Sequence, residues 1–268
     1  KVFANPANIT IAAVGVESHE AFAALCQEVF MPLSAPSDAV VAETAAAEQT
    51  AAQQDAQWNG ASIRIHSAQS YGDATVALGF KTAGLITPKK AVTTEVLQRV
   101  LGGKNAVGQL NNLTKQHAFI KDAKAGYIAH KNVGLFSIEA NVDSAAAAAY
   151  ADVITKYVKA LPQNITEAEV KKAKNQVATS LLADIATGAN RAQEFARQVG
   201  VYGNVHTDEI VNMVDTVSVA DVQQVATELA FFKPALVTAG DATALPAVVD
   251  LFASDADRQK FVASATKA

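Results

Sequence analysis

Residues 74–80 read ATVALGF and residues 133–142 read VGLFSIEANV. Both are strand-length runs of apolar and β-branched residues, and their reading decides the fold. Working outward, Ala61–His66 (ASIRIH) alternates apolar and polar residues and reads as a strand before the first run. Phe119–Ala129 reads as a strand before the second, with a hairpin turn near Lys131-Asn132. Ala235–Ala239 (ALVTA) is the last strand.

Helices fill the intervals. Thr87-Pro88 is a strong start, in which the threonine hydroxyl is expected to cap and proline fits the first turn. Val92, Val96, Leu97, Val100 and Leu101 then share one face until Gly102-Gly103 stops the helix. A second helix is predicted over 107–115. Asp143 is expected to cap a helix running to Ala160, with Pro162 ending the region. Thr166 and Glu169 have capping-box spacing, in which hydroxyl and carboxylate each satisfy a free amide. The helix they open carries Val170, Val177, Leu181 and Ile185. A further helix is predicted over 191–202, Thr207 and Ser218 each cap one more, and 245–252 is a short closing helix. Two strands, two helices, two strands, a run of helices and a strand argue an α+β fold, a mixed, antiparallel-rich sheet covered by helices.

The chain opens differently. Asn8–Val14 (NITIAAV) reads as a short strand ended by Gly15, and Ser18 caps a helix with Ala21, Phe22, Leu25 and Val29 at helical spacing. One strand and one helix cannot bury both their faces. Residues 1–33 are therefore expected to lean on polypeptide beyond themselves. Residues 34–58 are Ala-, Gln- and Glu-rich with almost no large apolar side chain and read as a linker. The main domain is expected over 59–252, with a tail at 253–268.

Half the residues are hydrophobic and the net charge is −4. A large core is possible, and the clustered Lys and Arg of a nucleic-acid footprint are missing. The single cysteine, Cys26, cannot form an internal disulfide and reads as a small buried hydrophobe. No apolar run reaches membrane-span length. Lys1–Asn8 has neither a signal-peptide core nor an Arg-rich presequence, so any targeting segment is expected upstream or removed.

The chemistry-bearing motifs fail one by one. A helical zinc site needs two histidines within one turn beside a glutamate. Of His19, His66, His117, His130 and His206, no two are that close, and His19-Glu20 has no second histidine. Gly103–Gly108 has the spacing of a phosphate loop, but Gln109 stands where the lysine is required. No Gly-x-Ser-x-Gly elbow occurs. Asn8 and Asn164 begin formal glycosylation sequons, read as a strand start and a residue before a helix cap. Lys171, Lys172 and Lys174 form the largest basic cluster, read as a solvated face paired with Glu167 and Glu169. Catalytic, cofactor-binding and metal-binding residues are accordingly expected to be none.

Several of these stretches, taken in order, resemble the M16 metallopeptidase family. They are NITIAAVGVESHEAF, SIRIHSAQSYGDATVALGFKTAG, VLQRVLGG, NVGLFSIEANVD, EAEVKKAKNQVATSLL and ALVTAGDATALPAVVDLF, together running from residue 8 to residue 252. The resemblance implies that residues 1–33 are the last strand and helix of a first half-domain and that 59–252 is the second. It implies a zinc motif upstream of residue 1, so that this polypeptide alone holds no metal. Active relatives carry a substrate-binding tyrosine where this chain has His130. The stretch 102–112 has too few glycines for the family's substrate loop. AKNQV, GLFSI and TAGDATALP lean towards the core protein 2 branch. That branch implies a non-catalytic scaffold of mitochondrial complex III, peripheral on the matrix side of the inner membrane, binding neither haem nor quinone. The implied partners are a core protein 1-like subunit, cytochrome b, cytochrome c1 and a segment completing the first half-domain. A non-catalytic processing-peptidase alpha subunit, one half of a two-chain zinc peptidase, and an unrelated binding domain stand as alternatives.

Overall fold

The computed structural model describes residues 9–30, 58, 60–65, 72–103, 107–231 and 233–241. Its contacts divide the chain into two units, residues 58–178 with 212–268, and residues 1–57 with 179–211.

The first unit is built on a five-stranded sheet. Its strands are β1 (Ser62–Ile65), β2 (Asp73–Ala83), β3 (Ile120–Ala129), β4 (Val133–Asp143) and β5 (Ala235–Gly240). They lie in the order β1-β5-β2-β4-β3. Only β1 and β5 pair in parallel, through Ile63↔Val237 and Ile65↔Ala239. The other neighbours are antiparallel, with β2 and β4 in register along their full lengths from Asp73↔Asp143 to Ala83↔Val133. The period of two turns Val76, Leu78 and Phe80 of β2 and Phe136, Ile138 and Val142 of β4 to one face, where all are buried.

Helices cover that face. They are α2 (Pro88–Leu101), α3 (Gln109–Gln116), α4 (Ala147–Asn164), which follows a 3-10 turn over Ser144–Ala146, the opening turns of α5 (Glu167–Asp184), and α8 (Val219–Phe231). Helix α2 packs on β2 and β3, and α8 packs against α2 and α4. Val92, Val96, Leu97, Val100 and Leu101 of α2 are all buried, as the helical spacing requires. Glycine is needed where α3 begins. A Cβ on Gly108 would lie 2.4 Å from the backbone of Leu101 and Gly102.

The second unit contains α1 (His19–Phe30), the end of α5, α6 (Gly188–Tyr202) and the start of α7 (Thr207–Thr216). Gln198 is its buried hub. Its amide donates to Glu194 Oε1 at 2.7 Å and Thr207 Oγ1 at 3.0 Å, and its carbonyl oxygen accepts from the His206 amide at 2.7 Å.

Several local expectations are corrected. Residues 9–14 form no strand, because β structure needs a neighbour to receive its amides and carbonyls and no described residue supplies one. Cys26 is half-buried rather than buried, for α1 buries none of its residues in this chain. The Thr87 hydroxyl donates to the Gly84 carbonyl at 3.0 Å and does not cap α2. The Asp143 carboxylate pairs with Lys121 at 3.0 Å instead of capping. Pro162 lies inside α4, which continues to Asn164. Proline removes one bond there, and buried Leu161 and Ile165 hold the last turn in place. Thr207 is the first residue of α7 and its hydroxyl belongs to the Gln198 hub, while the His206 carbonyl receives the first helical bond. Ser18, Thr166 and Ser218 cap as expected. The linker and the closing helix over 245–252 lie outside the described residues. No described helix is long and apolar enough to cross a membrane.

Candidate functional site

A hydrolytic centre needs a nucleophile or metal, a base, and groups that converge on one point. Among the described residues no three His, Cys, Asp or Glu side chains come together as a metal site. His19 begins α1 and is exposed. His117 ends α3 with its ring 5.3 Å from that of Phe119. His130 is exposed in the β3–β4 turn, where its backbone bonds Leu85 and Val133. His206 Nδ1 stands 3.1 Å from Glu209 Oε2. His66 lies outside the described residues, as does Asn8.

The glycine pair and Gln109 are bound into structure. The Gln109 amide donates to both Glu169 oxygens, at 3.1 and 3.0 Å, and to the Asn164 carbonyl at 3.1 Å. The Tyr157 hydroxyl donates to Gln109 Oε1 at 3.2 Å. Burial, and then the Glu169 charge, push that phenol upwards, so it stays a neutral donor. Glu169 thus joins the capping box of α5 to the start of α3. Asn164 ends α4, and its carbonyl is one acceptor of this knot.

The basic cluster also resolves differently from expectation. Lys174 Nζ donates to the carbonyls of Asp215 and Val217 at 2.8 and 3.0 Å, closing the end of α7. Its partners are those carbonyls, which a one-helix pattern could not foretell. Lys171 and Lys172 are exposed.

A cleft of about 360 Å³ lies between the start of α2 and α8, floored by Pro88, Met213 and Val225. Its charged rim is already paired, Lys89 to Asp221 at 3.4 Å and Lys90 to Glu228 at 2.6 Å. Ser218 donates to Asp221 from its amide and hydroxyl, and these bonds, helped by Lys89, hold that carboxyl below its ordinary range. The arrangement is a helix cap tied to a neighbouring helix and offers no acid–base couple.

Unsatisfied apolar surface is the more informative feature. In the opening segment Ile9, Ile11, Val14, Val16, Leu25, Val29 and Phe30 are exposed, and Leu25 and Val29 keep 56% and 59% of their surface. On the sheet, the face opposite the helices carries Ile63 and Ile65 at the β1 edge and Leu135 and Ile128 towards the β3 edge. Small residues, Ala77, Gly79 and Ser137, lie between them. The same face also carries Lys81 and the Lys124–Glu139 ion pair, so its apolar side chains are interspersed with charge.

Comparison with known proteins follows the same direction. Residues 1–177 match the family model of the peptidase M16 inactive domain. The chain is 26% identical over 189 residues to mitochondrial-processing peptidase subunit alpha-2 of Dictyostelium discoideum, covering 67% of this chain and 42% of that protein. It is 24% identical over 240 residues to a probable mitochondrial-processing peptidase subunit beta of Arabidopsis thaliana, covering 86% and 44%. The chain therefore spans less than half the length of these curated relatives. Among solved structures, a chain of complex III2 from Candida albicans, bound to Inz-5, superposes with a TM-score of 0.61 at 18% identity, covering 75% of this chain and 49% of that one. That likeness establishes the fold, an α+β architecture with a helix-covered mixed sheet.

Proposed function

This chain belongs to the peptidase M16 family through its inactive domain, and on that footing we propose that it is a non-catalytic scaffold subunit of mitochondrial complex III, of the core protein 2 kind. The observation that carries the reading is the coincidence of an inactive-domain match with apolar surface left open over residues 9–30. A domain that performs no chemistry and exposes such surface gains stability by obligate association, in which large apolar interfaces are buried. The solved neighbour comes from a complex III assembly, and AKNQV and GLFSI lean the same way.

In this reading residues 1–33 complete a first half-domain, 34–58 form a linker, and 59–252 are the second half-domain. The partners are a core protein 1-like subunit, cytochrome b and cytochrome c1, on the matrix side of the mitochondrial inner membrane. The chain carries no cofactor. Blue-native separation of mitochondrial membranes followed by mass spectrometry tests it. Co-migration with cytochrome b and cytochrome c1 is expected, and migration apart from both overturns the reading.

A second reading has its own support, since the curated relatives named above are processing-peptidase subunits. There the chain would contact presequences through residues 103–113 beside a zinc-bearing partner. Presequence crosslinks to that stretch would favour it. Full cleavage after its replacement would count against it.

A further inference from the structure

Helix α8 turns one stripe towards the start of α2. Asp221, Val225 and Glu228 follow the i, i+4, i+7 spacing that puts them on one face, and all three line the cleft of about 360 Å³. Pro88, Lys89 and Lys90 of α2 stand opposite, and Met213 of α7 completes the floor. Every one of these residues belongs to the first unit. The volume falls within the range of small-molecule sites, and the floor of Pro88, Met213 and Val225 is apolar. A methionine in such a floor adapts its shape to what lies on it.

Two ion pairs cross from α2 to α8. Lys89 meets Asp221 at 3.4 Å and Lys90 meets Glu228 at 2.6 Å. Their anchors on α8 are seven residues apart, about 10 Å along the helix, which is the length of a short aliphatic chain. The two bridges are not equivalent. Lys89 keeps 57% of its side-chain surface, and its contact with Asp221 is the longer one. Asp221 also accepts from the Ser218 amide at 2.9 Å and the Ser218 hydroxyl at 2.7 Å, so it stays satisfied when Lys89 turns away. An exposed pair of this length contributes little. Lys89 is therefore a cation that an incoming anion redirects at small cost. The first turn of α2 adds to the positive potential there, because the Thr87 hydroxyl is bonded to the Gly84 carbonyl and does not cap it.

We infer that this cleft binds a small aliphatic carboxylate, its tail lying on Pro88, Met213 and Val225 between the two bridges and its carboxylate taken by Lys89. A cationic ligand does not fit, since both rim carboxylates already have their donors, Glu228 in Lys90 and Asp221 in Ser218. A polypeptide segment running the length of the cleft would have to break the short Lys90–Glu228 bridge. The inference uses residues of the first unit alone and is independent of the assembly proposed above.

Methyl NMR of the full chain, labelled with carbon-13 at its two methionines, Met31 and Met213, tests the site. Titration with octanoate should move the Met213 signal to saturation with a midpoint below about 5 mM, while Met31 stays in place. Octylamine, which has the wrong charge, and acetate, which lacks the tail, should each act at least about tenfold more weakly. Lys89→Gln should weaken octanoate binding about fivefold, and Lys171→Gln, an exposed lysine on α5, should leave it unchanged. A Met213 signal that does not saturate overturns the inference. So does an equal response to octylamine or acetate, undiminished binding by Lys89→Gln, or equal loss in both lysine variants.

Discussion

Helices α1 and α2 are similar in length and both carry leucines and valines at helical spacing, yet their fates differ. Leu97 of α2 is fully buried against the sheet, and Leu25 of α1 keeps 56% of its surface. Composition does not separate them. What differs is whether the described residues supply an opposing layer, and α2 has β2 and β3 beneath it. Most of a helix's stability in a protein comes from packing an apolar face rather than from propensity, so α2 is held by its layer while α1 has no buried residue to hold it.

The sharpest way to break this contrast is Leu97→Ala. The cavity should cost about 3 kcal/mol, read from denaturant unfolding of the full chain. Next is Glu169→Ala, which removes the α5 capping box and two acceptors of Gln109; about 1–2 kcal/mol should be lost by the same measurement. Tyr150→Phe should act in the other direction. The Tyr150 hydroxyl is buried with no hydrogen-bond partner among the described residues, and its removal should raise stability by about 1 kcal/mol.

A smaller effect concerns pH. Hydrogen bonds from Ser218, backbone and then side chain, with help from Lys89, lower the Asp221 carboxyl in the folded chain. A carboxyl lowered on folding contributes stability that is complete above its unfolded value, about 4, and is lost as pH falls through the folded value. Asp221→Asn should therefore flatten the acid side of the Tm–pH curve, whereas an unchanged acid limb would show that the carboxylate adds nothing. Smallest of all is Leu25→Ala in the isolated chain, within about 0.5 kcal/mol of wild type. A loss as large as that of Leu97→Ala would show that α1 is packed after all.

Much of this was legible in the sequence because local rules decide it. The strands around Val76 and Phe136, the face of α2, and the Thr166 and Ser218 caps all depend on residues near one another in the chain. The misreadings share the opposite cause. Asp143 was claimed by Lys121 across the sheet, Thr207 by Gln198, and Lys174 by the carbonyls ending α7, each a partner that periodicity cannot see. Pro162 misled because a proline one turn from a helix end removes little when buried neighbours hold that turn. The missing strand at 9–14 is the same lesson in reverse, since the propensity was read and the neighbour was not there to receive it. No signal in the sequence pointed to the Gln109–Glu169–Tyr157 knot. It depends on three elements meeting.

The parallel pairing of β1 with β5 carries a consequence for the order of events at the ribosome. The anchor beside β1, the Trp58 indole bonded to the Lys233 carbonyl at 2.6 Å, closes a span of 175 positions. While the chain is being made, the hairpin of β3 and β4 can zip as soon as it emerges, but β1 has no sheet neighbour until β5 has been synthesised. Contacts this distant form late and slowly. The backbone amides and carbonyls of β1 must therefore wait until β5 has emerged, and Ile63 and Ile65 stay exposed on the open face even then.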